Sequence, residues 1–214
     1  MDFTNFDPIF ALLLLAALII AIVGHEIMHG WVAFKFGDST AKNLGRLSPN
    51  PIKHVDPIGT ILVPALLYFT TGFCFGWAKP VPVNMSVVLR NGGYKADVFV
   101  ALAGIFYNIF LAILFLFLLK NFASHFNELS VQFIFLLFSV NLFLGLFNLY
   151  PFPPLDGFKA VIYILCMLGL KNLADKLYSA ERWGMVVLIV VIISPISQYV
   201  FAPIHSVFKL LVTL

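Results

Sequence analysis

The chain has 214 residues, 61% hydrophobic and only 11% charged, with a mean hydropathy of +1.00 and a formal net charge of +3. A soluble domain carries about 25% charged residues, so this composition excludes a water-soluble globular protein and indicates a chain that crosses a membrane several times. The small positive charge is spread over connecting segments with no basic run, which argues against a nucleic-acid partner and bears instead on membrane orientation.

Spans of about 20 residues each leave no room for a separate soluble domain, so a single membrane-embedded domain over residues 1–214 is expected, an all-α polytopic helical bundle. Asp2 and Asp7 stand where a secretory signal would carry basic residues, so the first apolar run is expected to stay as a span, over residues 9–34. The stretch 58–75 is interrupted by Gly59, Pro64 and Gly72, which suits a re-entrant or irregular segment rather than a crossing. After it, Val81, Val83 and Met85 alternate within Pro80–Arg90. Two readings of that region have equal weight: an edge strand that pairs with an extended substrate, or a cap over the mouth of a site. Further spans are expected at 98–119 and 131–149, an antiparallel pair joined by a short polar loop. The run Tyr150-Pro151-Phe152-Pro153-Pro154 then stops any helix. A short apolar helix at 158–170, a polar connector and a last span at 184–201 complete the chain. Cys74 and Cys166 form no ligand pair and read as free thiols.

Near the far end of the first span stands His25-Glu26-Ile27-Met28-His29. By helix geometry His25 lies about 24 Å along the axis from Ile9, inside the bilayer but close to one surface. Polar side chains at that depth each cost about 2 kcal/mol or more unless compensated, and a bound dication is an economical compensation. Residues four apart on a helix share a face, so both imidazoles can point at one zinc ion, while Glu26 is placed to act as acid and base on water. A catalytic zinc needs a third protein ligand. Asp156, following the rigid Pro153-Pro154 turn and preceding Gly157, is the strongest candidate. A plain helix N-cap explains it equally well on local grounds. His54 reads first as a loop histidine and second as a group supporting the site or gating its open position. Asn141 and Asn148 lie seven residues apart on one span and face the protein interior; helix-packing bonds are the default for both.

The chain resembles the site-2 proteases, intramembrane zinc metalloproteases, in their compact bacterial branch. The resemblance rests on the HExxH sequence; on Gly37-Asp38, Gly45-Arg46-Leu47, Asn50-Pro51 and His54-Val55-Asp56-Pro57; on Gly76-Trp77-Ala78-Lys79-Pro80-Val81-Pro82; on Ala103-Gly104 with Asn108; and on Asn148 through Gly157. It implies that His25, His29 and Asp156 bind one Zn2+ per chain, that Glu26 activates water, and that the substrate is a transmembrane segment of another protein. By the same resemblance Asn108 would hold substrate or stabilise an oxyanion; for Asn148 a substrate-binding role is the alternative to helix packing on the reading of its span alone. One departure is Ile105, where family members usually carry proline.

Two non-catalytic readings compete: a zinc-binding membrane protein or pseudoprotease that only captures membrane clients, and a scaffold whose histidines merely pack. Glu26 beside the ligands argues against the first, and the number of costly intramembrane polar groups argues against the second. If His25 and Asp156 share an ion, the segment 58–75 must enter and leave on one side. Lys35, Lys42, Arg46, Lys53, Lys79, Arg90 and Lys95 then gather on the site side, against Lys120 with Glu128 opposite. The positive-inside rule turns the site toward the cytoplasm, and the resemblance to the compact bacterial branch implies a bacterial cytoplasmic membrane.

Overall fold

The computed structural model describes residues 7–66 and 76–213. The first helix, α1 (Pro8–Lys35), starts where Asp7 accepts hydrogen bonds from the Ile9 and Phe10 N–H groups and Pro8 occupies a position that needs no donor. Its buried positions are mostly small, with Ala17, Ala21, Gly30 and Ala33 flanking His25, so neighbouring helices approach closely. The second long helix, α2 (Met85–Phe122), bends where Gly93 adopts φ 65°, a left-handed conformation that costs other residues more. Asn127 caps α3 (Glu128–Asn148) through Ser130 N–H.

These three helices are long and apolar enough to cross a membrane. The end of α1 packs on the start of α2 through Ala33, Val88, Ala96 and Val100, whereas the start of α1 packs on the far end of α2 and the start of α3 through Leu14, Ala17, Phe115 and Leu137. Consecutive spans are therefore antiparallel, and the ends of α1 and α3 lie on the same side, where the end of α1 meets the start of α2. The ends of the expected re-entrant stretch also meet: Trp77 N–H donates to the Gly59 carbonyl at 3.0 Å, and Thr60 Oγ1 donates to the Trp77 carbonyl at 2.9 Å. Residues 67–75 of that stretch, including Cys74, lie outside the described residues.

Of the two readings of Pro80–Arg90, the edge strand is not seen. Among the described residues there is no strand: the chain is irregular from Gly76 to Asn84, and Met85 already begins α2. Pro80 and Pro82 have no N–H to offer a ladder, and neighbouring N–H groups are used elsewhere. Lys79 N–H reaches the His54 carbonyl at 2.9 Å, and Asn84 N–H reaches Asp38 Oδ2 at 2.7 Å. Burial pushes the Asp38 carboxyl upward, but its bonds from Thr40 and Asn84 outweigh this and hold it below its ordinary value. Arg46 donates to the Lys79 and Pro80 carbonyls at 2.8 and 3.2 Å. The segment is thus pinned from both sides.

Beyond the proline turn come α4 (Asp156–Met167), α5 (Lys171–Ala180), α6 (Gly184–Ile193) and α7 (Ala202–Thr213), with one helical turn at Ser197–Val200 between the last two. The single span expected at 184–201 is therefore broken. Ser194 is extended at ψ 158° before Pro195, as a residue preceding proline prefers, and the 10-residue α6 stops there. Its Leu188 packs with Phe147, Leu155 and Ile204, so the C-terminal helices buttress the turn that delivers α4.

Candidate metal centre

His25 and His29 project from one face of α1, and Asp156 arrives from the first turn of α4. His25 Nε2 lies 2.9 Å from Asp156 Oδ2 and 3.1 Å from His29 Nε2, and His29 Nε2 lies 3.1 Å from the same carboxylate oxygen. The alternative reading of Asp156 as an N-cap fails on geometry: Leu155 occupies the cap position, no side chain caps α4, and the carboxylate turns to the imidazoles. Its other oxygen, Oδ1, faces Lys159 Nζ at 3.6 Å.

The outer partners fix which ring nitrogens are free. His29 Nδ1 lies 2.7 Å from the Val100 carbonyl, which only accepts, so Nδ1 carries the proton. Asn108 donates its amide to the Ala21 carbonyl at 3.1 Å and to Asn141 Oδ1 at 2.9 Å, which leaves its Oδ1 to accept from His25 Nδ1 at 2.6 Å. In the neutral rings both Nε2 atoms then present lone pairs, beside a carboxylate oxygen. Three acceptors within about 3 Å of one another repel unless a cation sits among them. Tetrahedral zinc sets such donors about 3.3 Å apart, so the observed triangle needs only a slight opening. The donor set fits zinc, with the outer hydrogen bonds that metal-bound histidines usually have.

Close helix approach makes this possible. A Cβ on Gly104 of α2 would meet the His25 ring at 2.5 Å, and one on Gly157 would meet the Leu149 carbonyl oxygen at 2.3 Å. Ile105, in place of the usual proline, lies buried in an uninterrupted part of α2 and does not prevent Asn108 from reaching His25. Glu26 Oε2 accepts from Val81 N–H at 2.8 Å, so the pinned segment over the site also steadies the carboxylate, while Oε1 has no hydrogen bond among the described residues.

Not every candidate joins the centre. Asn108 is fully buried, with its polar atoms engaged by His25, Ala21 and Asn141, so it is placed as a support for His25 rather than on a substrate surface. Asn148 donates to the Leu144 carbonyl of its own helix. His54 is buried in its loop, with Nε2 2.9 Å from the Ser48 carbonyl, and does not belong to the ligand cluster. Val81 and Val100 contribute through backbone atoms, which leave no trace in residue identity, and Lys159, near Asp156 in sequence and expected to reach toward the cytoplasmic interface, faces the Asp156 carboxylate. Replacing Asn108 by Leu is expected to lower zinc affinity by about 10–100-fold while leaving the helices intact, as competition with a zinc chelator would show. Unchanged affinity would remove Asn108 from the support of His25.

Fold and site together describe a metallopeptidase-type centre, with two histidines and a glutamate on one membrane-length helix and an aspartate from a later helix. The model of "Peptidase family M50" matches residues 122–192, a stretch that includes Asp156. "Putative zinc metalloprotease YwhC" of Bacillus subtilis is 40% identical over 197 residues, covering 89% of this chain and 84% of that protein. "Putative zinc metalloprotease Rip2" of Mycolicibacterium smegmatis is 28% identical over 185 residues, covering 86% of this chain and 68% of that protein. No solved structure gives a significant match. The chain belongs to peptidase family M50, the site-2 proteases that its motifs resemble.

Proposed function

We propose that this zinc metalloendopeptidase hydrolyses peptide bonds within transmembrane segments of membrane-anchored substrates, from a site near the cytoplasmic face of a bacterial membrane. The observation that carries the reading is the convergence of His25, His29 and Asp156 near one end of a membrane-length helix, with Glu26 alongside. His25, His29 and Asp156 hold the zinc. When bound, zinc acts as a Lewis acid that lowers the pKa of water and polarises a carbonyl. Asn108 and the Val100 carbonyl keep the two imidazoles in the ligand tautomer. Glu26, steadied on one oxygen by Val81 N–H, uses the other to take a proton from water and pass it to the leaving amine. Lys159, paired with Asp156 Oδ1, restrains the carboxylate so that Oδ2 faces the imidazoles.

Bilayer location supports the intramembrane substrate: a soluble peptide would have to enter hydrocarbon to reach this depth, whereas a membrane segment is already there. Such a segment must unwind locally before its peptide bond is accessible. Purified protein reconstituted with a labelled transmembrane peptide is expected to cut within the apolar stretch, to stop on zinc chelation and to recover with added zinc, as mass spectrometry of the products would show. Cuts confined to the soluble flanks would refute intramembrane cleavage. In intact cells, Ser48→Cys and Ser86→Cys are expected to react with an impermeant thiol reagent only from the cytoplasmic face; reaction on opposite faces would sink the re-entrant path.

A further inference from the structure

Helices α2, α4 and α5 line an open cavity of about 210 Å³, apart from the metal ligands. Its wall includes Asp97 of α2, Tyr163 of α4, Asp175 and Tyr178 of α5, and Tyr94 beside the Gly93 bend. Asp97 lines this cavity but is only 2% exposed, and among the described residues it has no hydrogen bond or ion pair; its Oδ1 is buried without a partner, so a cation reaches it only from the cavity side. No lysine or arginine lines the cavity. A buried carboxylate without a partner is unfavourable, and a cation entering the cavity relieves it. The tyrosines add electron-rich ring faces and hydroxyl acceptors, and the exposed Asp175 adds a second negative charge.

Size and position narrow the choice of cation. Small-molecule pockets usually occupy about 300–1,000 Å³, so this cavity suits one side chain better than a free metabolite. It is also built on the two helices that complete the metal site. Asp97 lies three residues before Val100, whose carbonyl holds His29, and Tyr163 lies seven residues after Asp156. At 1.5 Å per helical residue the cavity lies about 5–11 Å along these helices from the centre, a distance an extended chain covers in about two to four residues. Toward the start of α2 it lies on the site-side surface, where membrane segments carry flanking lysine and arginine.

We propose that the Asp97 cavity is a specificity pocket for one lysine or arginine side chain on the site-side flank of the membrane segment to be cleaved, about two to four residues from the scissile bond. The pocket selects segments with that basic flank and sets which peptide bond lies over the metal. This inference rests on the proposed intramembrane reading.

The test uses zinc-loaded, full-length Glu26→Gln protein in lipid nanodiscs and labelled transmembrane peptides that differ only by Lys, Gln or Glu at the flank position, with binding read by fluorescence anisotropy. The Lys peptide is expected to bind about tenfold more tightly than the Gln peptide and the Glu peptide more weakly than either, a ranking that needs no pocket variant. In the near-isosteric Asp97→Asn background the ratio of Lys to Gln affinity is expected to fall to about one, with zinc content as the control for folding. Equal binding of the three peptides, failure of all three to bind, or a Lys preference that survives Asp97→Asn would overturn the pocket. Cleavage by the active protein separates the two readings. If it cuts Lys and Gln peptides equally well, the protease reading stands and the pocket falls; if Lys-dependent binding is intact but neither peptide is cut, the pocket stands and the protease reading falls.

Discussion

Glu26→Gln is expected to reduce hydrolysis of a membrane peptide by at least about 10³-fold while zinc stays bound near one per chain. The two effects separate because Glu26 is not in the ligand triangle. His25, His29 and Asp156 meet through Nε2 and Oδ2 atoms, whereas the Glu26 carboxylate turns to Val81 N–H. A glutamine can keep its carbonyl oxygen on that N–H, so the segment over the site stays in place. It cannot take a proton from water at neutral pH. Binding of a membrane segment is expected to persist, which makes this variant a trap for clients. Activity within tenfold of the unsubstituted protein would show that another group supplies the base and would leave Glu26 as a tether for the Val81 segment. Paired measurements of zinc by mass spectrometry and of turnover on one preparation check both halves.

Sequence and structure agree most closely where the chemistry is local. His25 and His29 are four apart on one helix, so their shared face follows from helix periodicity alone. Asp156 lies 127 residues beyond His29, and local sequence left its two readings in balance; the proline turn and α4 decide between them by turning its carboxylate away from the helix start. Asn141 was legible as an inward-facing residue, but its bond to Asn108 spans 33 positions and depends on how α2 and α3 pack. Val81 and Val100 act through peptide groups, which every residue has, so no residue type marks them. The run 184–201 reads as one continuous helix by its apolar composition, while the backbone responds to Pro195 by ending α6 at Ile193. Pro80 and Pro82 carried a comparable warning against a strand. Alternation of apolar residues describes which faces a segment offers, not whether its N–H groups have a ladder to join.

Asp156→Ala is expected to lower zinc affinity by more than the roughly 10–100-fold cost of losing an outer hydrogen-bond partner, so that protein washed with a mild chelator retains well under one zinc per chain. The argument turns on what Asp156 does not do. It makes no capping hydrogen bond, so alanine removes no helix-starting contact and α4 loses at most a favourable dipole interaction of about 0.3–1 kcal/mol. What it removes is the only anionic member of the triangle, leaving two neutral imidazoles with Nε2 atoms 3.1 Å apart and Lys159 without its partner. A lysine released next to the site adds positive charge where a dication should bind, so the loss exceeds that of one ligand alone. Asp156→Ala combined with Lys159→Gln is therefore expected to recover part of the affinity, though not the full three-ligand value. Helical circular dichroism should match the unsubstituted protein in both variants, while the stabilisation that zinc confers against thermal unfolding should shrink, since a ligand stabilises only in proportion to its occupancy of the folded state. Full zinc retention in Asp156→Ala with normal folding would overturn the three-ligand centre; no recovery on removing Lys159 would assign the whole effect to the lost carboxylate.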